Sequence, residues 1–120
     1  MWSYSQTRGI LARDGKLFGT GYSGFGTGLN DPGSEAVPDV GPIPRGKWKI
    51  VRWDETHADK GPIVGVLEPV GHDAHGRSGF LIHGDNQDMD HTASHGCIIL
   101  SRVLREDMRR SGDEDLEVTA

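Results

Sequence analysis

The sequence has little cysteine, no cluster of positive charge and no long apolar run. Its 120 residues include one cysteine, Cys97, so a disulfide framework within the chain is excluded. Thirteen Lys and Arg against eighteen Asp and Glu give a net charge of −5, which disfavours nucleic acid as a partner. No stretch approaches the roughly 18 apolar residues that a membrane-spanning helix needs. The N-terminal residues also lack the basic and apolar regions of a secretory signal peptide.

Glycine and proline are abundant instead. Eighteen glycines and six prolines make up a fifth of the chain, against about 12% in an average protein. Glycine costs about 0.5–1 kcal/mol in a helix interior, so this composition favours turns and short strands. Together with the length, it predicts a single domain over residues 1–120, mostly β with one helix near the C-terminus.

The pattern of apolar residues and turn signals predicts short strands separated by polar loops. The strongest helix signal follows Ser101, a good N-cap, runs to about Arg110 and ends at Gly112. Long polar loops are expected over residues 24–41 and 84–94. The strands are predicted over residues 9–12, 16–23, 47–53, 62–70, 79–83 and 116–118.

The residues with the clearest chemical potential lie around the single cysteine. Cys97 closes the run Ser94-His95-Gly96-Cys97, and His83-Gly84 ends the apolar run upstream. A free thiol has a pKa of about 8.5, so it needs a base to act as a nucleophile at neutral pH. His95 lies only two residues from Cys97 along the chain, whereas His83 can reach the sulfur from a neighbouring strand. We therefore predict His83 as general base and partner of a Cys97 thiolate.

Two further groups are expected to support this pair. A neutral imidazole needs an acceptor for its Nδ1 proton, which the Gly84 carbonyl or Asp85 could supply, and the Gly84 backbone is favoured. Gly96 has no Cβ, so its N–H and that of Cys97 can point to one place and form an oxyanion hole.

These motifs resemble the L,D-transpeptidase catalytic domain, in which an upstream His-Gly is followed by a polar loop and Ser/Thr-His-Gly-Cys. Here ten residues separate His83 from Ser94. The segment over residues 41–50 is similar to the family's Pro-x-Gly-x-aromatic-x-Ile strand entry. Tyr22-Ser23-Gly24, Asn30 and the Gly-Pro-Ile-Pro run resemble compact transpeptidase-like effectors of bacterial type VI secretion.

The resemblance implies a β-sandwich or barrel-like fold and cysteine-dependent acyl transfer on peptidoglycan stem tetrapeptides, with no cofactor. A thioester forms and a terminal D-alanine leaves. Water as acceptor gives L,D-carboxypeptidase activity, and an amine gives cross-linking or D-amino-acid exchange. The effector likeness and the missing signal peptide together imply a toxin that is made in the cytoplasm, secreted, and active in the periplasm of a target bacterium. A cognate immunity protein and a secretion-machine component are the implied partners.

The sequence departs from housekeeping members of that family at two places. The His-to-Ser spacing is shorter, which predicts a trimmed lid over the site. Ile99 stands where those enzymes commonly carry arginine. Arg102 is a candidate replacement as substrate anchor, although a solvated position at the helix start is the favoured explanation of this residue. Tyr22, Ser23 and Asn30 are the other candidate substrate-binding residues.

Two other functions remain open from the residues alone. A zinc-dependent hydrolase would use His83, Asp85, Asp90, His91, His95 and Cys97, although their spacing matches no common zinc motif. A non-catalytic cell-wall-binding module would use Trp2, Trp48 and Trp53. The odd spacing of Trp48 and Trp53 in one strand predicts opposite faces, which favours packing over a binding surface.

Overall fold

A computed structural model describes residues 1–86 and 91–120 of the chain. These residues form nine strands and one α-helix, α1 (Arg102–Ser111), with short 3₁₀ turns in the loops. The mostly β architecture with a single helix near the C-terminus is therefore confirmed. The strands are β1 (Trp2–Ser5), β2 (Ile10–Arg13), β3 (Lys16–Thr20), β4 (Tyr22–Ser23), β5 (Gly46–His57), β6 (Gly61–Val70), β7 (Leu81–His83), β8 (Ile98–Ile99) and β9 (Asp115–Thr119).

All nine strands belong to one sheet in the order β3-β2-β1-β9-β5-β6-β7-β8-β4. Most neighbours are antiparallel, but β1 pairs with β9 and β7 pairs with β8 in parallel. β1 was not predicted, and its alternation of buried and half-buried residues places Trp2 and Tyr4 in the core. The parallel pair β7–β8 is the part of the sheet that carries the predicted His-Gly and Cys motifs.

The β5–β6 hairpin contains a bulge that changes which face the tryptophans occupy. The register shifts between Ile50 and Arg52, so one residue of β5 has no partner on β6. Trp48 then pairs with Pro69 and Trp53 with Gly65, two positions on the same face of β6. The prediction of opposite faces was wrong because the bulge adds one residue between them. Trp48 is buried, and Trp53 packs against the core beside Gly65.

Helix α1 begins and ends as its sequence predicts. The Ser101 hydroxyl accepts a hydrogen bond from the Leu104 amide, and Gly112 closes the helix in a left-handed conformation at φ 70°. Leu104 and Met108 pack one face of the helix into the core. This packing fixes the start of the helix close to the end of β8.

Candidate active site

The register of β7 and β8 brings the predicted base and nucleophile into the same part of the sheet. Ile82 pairs with Ile98 and His83 with Ile99, and both Ile82 and Ile98 are buried in the core. His83 ends β7, and Cys97 is the residue immediately before β8. The parallel pairing therefore sets His83 beside a residue that follows Cys97 by two positions.

The His83 ring is held in one tautomer. Its Nδ1 lies 2.8 Å from the Gly84 carbonyl oxygen, and because a carbonyl only accepts, the proton is on Nδ1. Nε2 is then an unprotonated acceptor, buried and without a hydrogen-bond partner in the described residues. Burial lowers the pKa of His83, and the positive charges of Lys60 and Arg105 lower it further. The neutral ring is thus prepared to accept a proton at Nε2.

Cys97 carries a thiol at rest, not the stored thiolate that the sequence predicted. Burial raises the pKa of Cys97, and the opposing effects of the Leu81 amide and of Lys60 and Arg77 are smaller. The sulfur lies 3.9 Å from the Gly79 carbonyl oxygen, a contact in which a protonated thiol donates. With His83 neutral as well, proton transfer belongs to the moment of attack and not to the resting state.

Ser94 holds the segment before the cysteine in place. It is completely buried, and its hydroxyl uses all of its hydrogen-bonding capacity within the protein. It accepts from the amides of Gly24 at 2.9 Å and Gly96 at 3.0 Å, and donates to the Cys97 carbonyl at 2.6 Å. The structure therefore places Ser94 behind the reacting groups, where it orients Cys97.

The predicted oxyanion hole needs a correction. The Gly96 N–H donates to Ser94 and is not free to meet a substrate oxygen. Only the Cys97 N–H of the predicted pair can serve. Gly96 matters instead for close packing: its φ is +135°, and a Cβ there would lie 2.5 Å from the Arg77 guanidinium.

Arg77 is a site residue that the sequence analysis missed. Its guanidinium donates to the carbonyl oxygens of Glu35, Gly41, Pro42 and His95 at 2.6–3.1 Å. It thereby joins the long loop over residues 24–41 to the cysteine segment, and it lies over the Phe80 ring. Its charge also lowers the pKa of Cys97, although burial outweighs that effect. No motif marked it, because every hydrogen-bond partner is a backbone carbonyl.

Cys97 and His83 open into two cavities that share His95. The first, here the cysteine cavity, has a volume of about 370 Å³. The second, the histidine cavity, has a volume of about 570 Å³. His95 is exposed, stacks on Phe25 and binds the Asp39 carbonyl through Nδ1. The cysteine cavity is lined by Pro38, Asp39, 75–80 and 95–97, and the histidine cavity by 59–61, 83–86, Thr92, Ala93 and His95.

A third cavity, the helix cavity, contains two of the predicted substrate-binding residues but not Cys97. Its volume is about 470 Å³, and Tyr22 and Arg102 both line it. The Tyr22 hydroxyl donates to Asp85, and Arg102 pairs with Glu106 one helical turn away. The complete lining is formed by residues 20–22, 84–86, 91, 99–102 and 105.

The side-chain oxygens of Ser23 and Asn30 bond to the protein's own backbone. Ser23 is completely buried, and its hydroxyl donates to the Gly96 carbonyl while accepting from the Ile43 amide. The Asn30 side chain accepts from the Ser23 amide. Both residues therefore fix β4 against the cysteine segment.

The structure offers little to the two alternative functions. Within residues 1–86 and 91–120, no group of three or more metal-ligating side chains is close enough to hold an ion. Asp90, one of the suggested ligands, is outside those residues. Trp2 and Trp48 are buried, so the tryptophans do not form an exposed sugar-stacking surface. No helix in the described part of the chain is long and apolar enough to cross a membrane.

Comparisons with known proteins identify the fold and the family. The chain is similar to the L,D-transpeptidase (Yku) of Stackebrandtia nassauensis, with a TM-score of 0.63 at 16% identity over 99% of this chain and 54% of the other. It is also similar to Mycobacterium tuberculosis L,D-transpeptidase 1, with a TM-score of 0.55 at 18% identity over 99% of this chain and 60% of the other. No curated protein sequence matches it.

Both solved structures are longer, since the chain spans little more than half of each. The shared feature is the L,D-transpeptidase fold, in which β7 of this chain ends at His83 and β8 begins directly after Cys97. The profile of the Tlde1 domain matches residues 19–118, which include both motifs and the whole region between β4 and β9. The chain therefore belongs to the Tlde1 domain family and has an L,D-transpeptidase-like fold.

Proposed function

We propose that the chain catalyses cysteine-dependent acyl transfer on peptidoglycan stem tetrapeptides. The observation that carries this proposal is the state of His83: Nδ1 donates to Gly84, and Nε2 has no hydrogen-bond partner in the described residues, on a strand paired with the one that starts directly after Cys97. A structural histidine in a core would have both ring nitrogens satisfied. A buried acceptor with no partner, beside a thiol that opens into a cavity, is the arrangement a general base requires.

The reaction follows from these positions. His83 Nε2 takes the Cys97 proton as the sulfur attacks the carbonyl carbon of the third residue of the stem. The Cys97 N–H stabilises the resulting oxyanion. When the carbon–nitrogen bond breaks, the imidazolium returns the proton to the leaving amine, and terminal D-alanine departs. The remaining thioester is then attacked by water or by an amine, from which His83 removes a proton. The carbon–sulfur bond breaks, and the imidazolium returns that proton to the Cys97 sulfur.

The two acceptors give two activities. Water releases a shortened tripeptide stem, which is L,D-carboxypeptidase activity. An amine gives D-amino-acid exchange or a cross-link. The histidine cavity lies beside the base, and His95 separates it from the cysteine cavity. This arrangement provides one side for the acyl donor and another for the acceptor.

The site of action follows from the family. Tlde1 is a family of secreted type VI effectors, and both solved relatives are named L,D-transpeptidases. We infer that the chain is delivered into the periplasm of a target bacterium as an antibacterial toxin. A cognate immunity protein and a component of the secretion machine are its expected partners.

Mass spectrometry of a synthetic stem tetrapeptide incubated with the protein tests the reaction. We expect loss of the terminal D-alanine, exchange when a D-amino acid is added, and a transient acyl adduct on Cys97. Cys97→Ala abolishes all three activities, and Thr7→Ala, at an exposed position that lines none of the three cavities, keeps them. EDTA has no effect, whereas a zinc hydrolase would lose activity. An unchanged tetrapeptide with a folded wild-type protein would reject the proposal.

A further inference from the structure

Helix α1 carries a buried arginine, Arg105, close to His83. It is only 6% exposed. Its Nε donates to the Leu100 carbonyl at 3.1 Å, and Nη1 donates to the carbonyls of Pro62 and Ile63. Removing a guanidinium from water is unfavourable, and an apolar side chain of similar size would avoid that cost. The burial of a charge here therefore indicates a role for the groups that Arg105 holds.

Two contacts of Arg105 restrain the peptide group between His83 and Gly84. The Leu100 amide donates to the His83 carbonyl at 3.0 Å, and Arg105 binds the carbonyl of the same leucine. Arg105 also lies against Gly84 directly, since a Cβ added to that glycine would be 2.7 Å from Nη2. The peptide group is thus held at its carbonyl through Leu100 and at the Gly84 Cα by the guanidinium.

This restraint matters because a glycine carbonyl fixes the tautomer of His83. Nδ1 donates to the Gly84 carbonyl at 2.8 Å, and Gly84 directly follows the last residue of β7. Glycine has more backbone freedom than any other residue. If Gly84 turned, Nδ1 would lose its acceptor and the ring proton could occupy Nε2, the atom that must be unprotonated to act as a base. The guanidinium beside Gly84 limits that rotation.

Arg105 also holds the start of β6 in an unusual conformation. Successive carbonyls of a regular strand point in opposite directions, yet those of Pro62 and Ile63 both accept from Nη1. Ile63 has a φ of +55°, a left-handed conformation that is unfavourable for a β-branched residue. Such strain persists only where surrounding contacts determine it. The strained residue lies two positions after Gly61, which lines the histidine cavity together with Lys60.

From these contacts we propose that Arg105 is a positioning residue for His83. It holds Gly84 so that the carbonyl stays on Nδ1 and Nε2 stays unprotonated, and it fixes the start of β6 beside the histidine cavity. The inference rests on the proposed function for the use of Nε2 as a base. The tautomer itself can be measured without any substrate, which separates the two proposals.

Nitrogen-15 NMR of the histidine rings reports which nitrogen of His83 carries the proton. Spectra are recorded on the resting protein at about pH 8, where histidine is neutral, and a His83→Gln variant assigns the signals. We expect a protonated Nδ1 and an unprotonated Nε2 in wild type, and a mixture of tautomers in Arg105→Met. A wild-type tautomer in a folded Arg105→Met protein overturns the proposal.

Turnover of the stem tetrapeptide provides the second measurement, with Arg109→Met as matched control. Arg109 lies one turn further along α1 and binds Glu55 of β5, so its loss also removes a link between the helix and the β5–β6 hairpin. We expect Arg105→Met to lower kcat at least about tenfold with little change in KM, and Arg109→Met to change neither kcat nor the tautomer. Equal losses in the two variants contradict an action through Gly84.

Arg105→Lys distinguishes the charge from the contacts, because an ammonium cannot reproduce the guanidinium fork. We expect it to behave as Arg105→Met does, and a wild-type tautomer and kcat in this variant overturn the proposal. Gly84→Ala tests the contact if Arg105→Met does not fold. Its Cβ would meet Nη2, so we expect mixed tautomers and a lower kcat, and wild-type values contradict the inference.

The two measurements keep this inference separate from the proposed function. If no stem is turned over but the His83 tautomer depends on Arg105, the acyl-transfer proposal fails and the positioning role stands. If stems are turned over and Arg105→Met has the wild-type tautomer and kcat, the positioning role fails and the proposed function stands.

Discussion

Replacing Ser94 by alanine tests whether the residue before the His-Gly-Cys run orients the nucleophile. The substitution removes one hydroxyl that makes three hydrogen bonds inside the protein, to Gly24, Gly96 and Cys97. Two amides and one carbonyl are then left buried without a partner. Leaving a buried group unpaired costs about 1–3 kcal/mol, and local relaxation recovers part of that. We therefore expect Ser94→Ala to lower the free energy of unfolding by about 2–5 kcal/mol.

A domain of this size has a free energy of unfolding of about 5–15 kcal/mol, which exceeds the expected loss over most of that range. Circular dichroism checks that Ser94→Ala is folded at the assay temperature. Urea unfolding followed by tryptophan fluorescence measures the loss. Ser23→Ala removes two hydrogen bonds to the same region and should lose less. Ser78→Ala, at an exposed position, should change stability by no more than about 0.5 kcal/mol.

The Ser94→Ala variant also distinguishes a role in positioning Cys97 from a role in proton transfer by His83. At a temperature where Ser94→Ala is fully folded, we expect kcat to fall at least about tenfold, which corresponds to about 1.4 kcal/mol. The acid limb of its pH–rate profile should stay where it is in wild type, because His83 and its environment are unchanged. A stability loss below about 0.5 kcal/mol, or a shifted acid limb, would refute the positioning argument.

Three other outcomes follow from the structure. Burial lowers the pKa of His83, so kcat/KM should fall with acid at a midpoint below 6.5, and a midpoint above that value contradicts a buried neutral base. Arg77→Lys keeps the charge but loses the hydrogen bonds from the guanidinium to four backbone carbonyls. Urea unfolding should therefore show a free energy of unfolding lower by about 2–4 kcal/mol. Wild-type stability would contradict the role of Arg77 in joining the loop to the cysteine segment. Partial burial alone would raise the pKa of Glu35. Hydrogen bonds from Gln6, His75 and Arg45 outweigh the effect of burial and lower the pKa from 4.5 to about 2. The folded pKa is the lower one, so this stabilisation is present above pH 4.5 and lost as pH falls toward 2; Glu35→Gln should have a flatter acid-stability curve than wild type.

The local signals in the sequence predicted much of the fold. Ser101 and Gly112 marked the ends of α1 because capping depends on residues within one turn. The strands from β5 to β7 were predicted from their apolar residues, with ends that are exact or displaced by up to four positions. β1 was missed because Trp2-Ser3-Tyr4-Ser5 gives only two apolar positions, and its role depends on parallel pairing with β9 at the far end of the chain.

The sequence predicted the parts of the candidate site that depend on the chemistry of side chains. His83 and Cys97 were singled out because few side chains other than an imidazole and a thiol serve as base and nucleophile at neutral pH. The β5 bulge and the use of the Gly96 amide by Ser94 could not be found, since both depend on the register and the backbone path. Arg77 escaped for the same reason: its partners are carbonyl groups, which every residue has.

Carbonyl-bound arginines give this acidic protein local positive charge where the proposed function needs to bind anionic stems. The chain has a net charge of −5, yet Arg77 beside Cys97 and Arg105 beside Gly84 are both bound to backbone oxygens and not to carboxylates. Carbonyl oxygens satisfy the hydrogen-bond geometry of a guanidinium without cancelling its charge. Burial lowers the pKa of both arginines, but arginine stays protonated at any physiological pH. The positive charge is therefore concentrated around the cavities, where low dielectric surroundings strengthen its attraction for a carboxylate. An arginine paired with aspartate at either position would provide the same packing and lose that attraction.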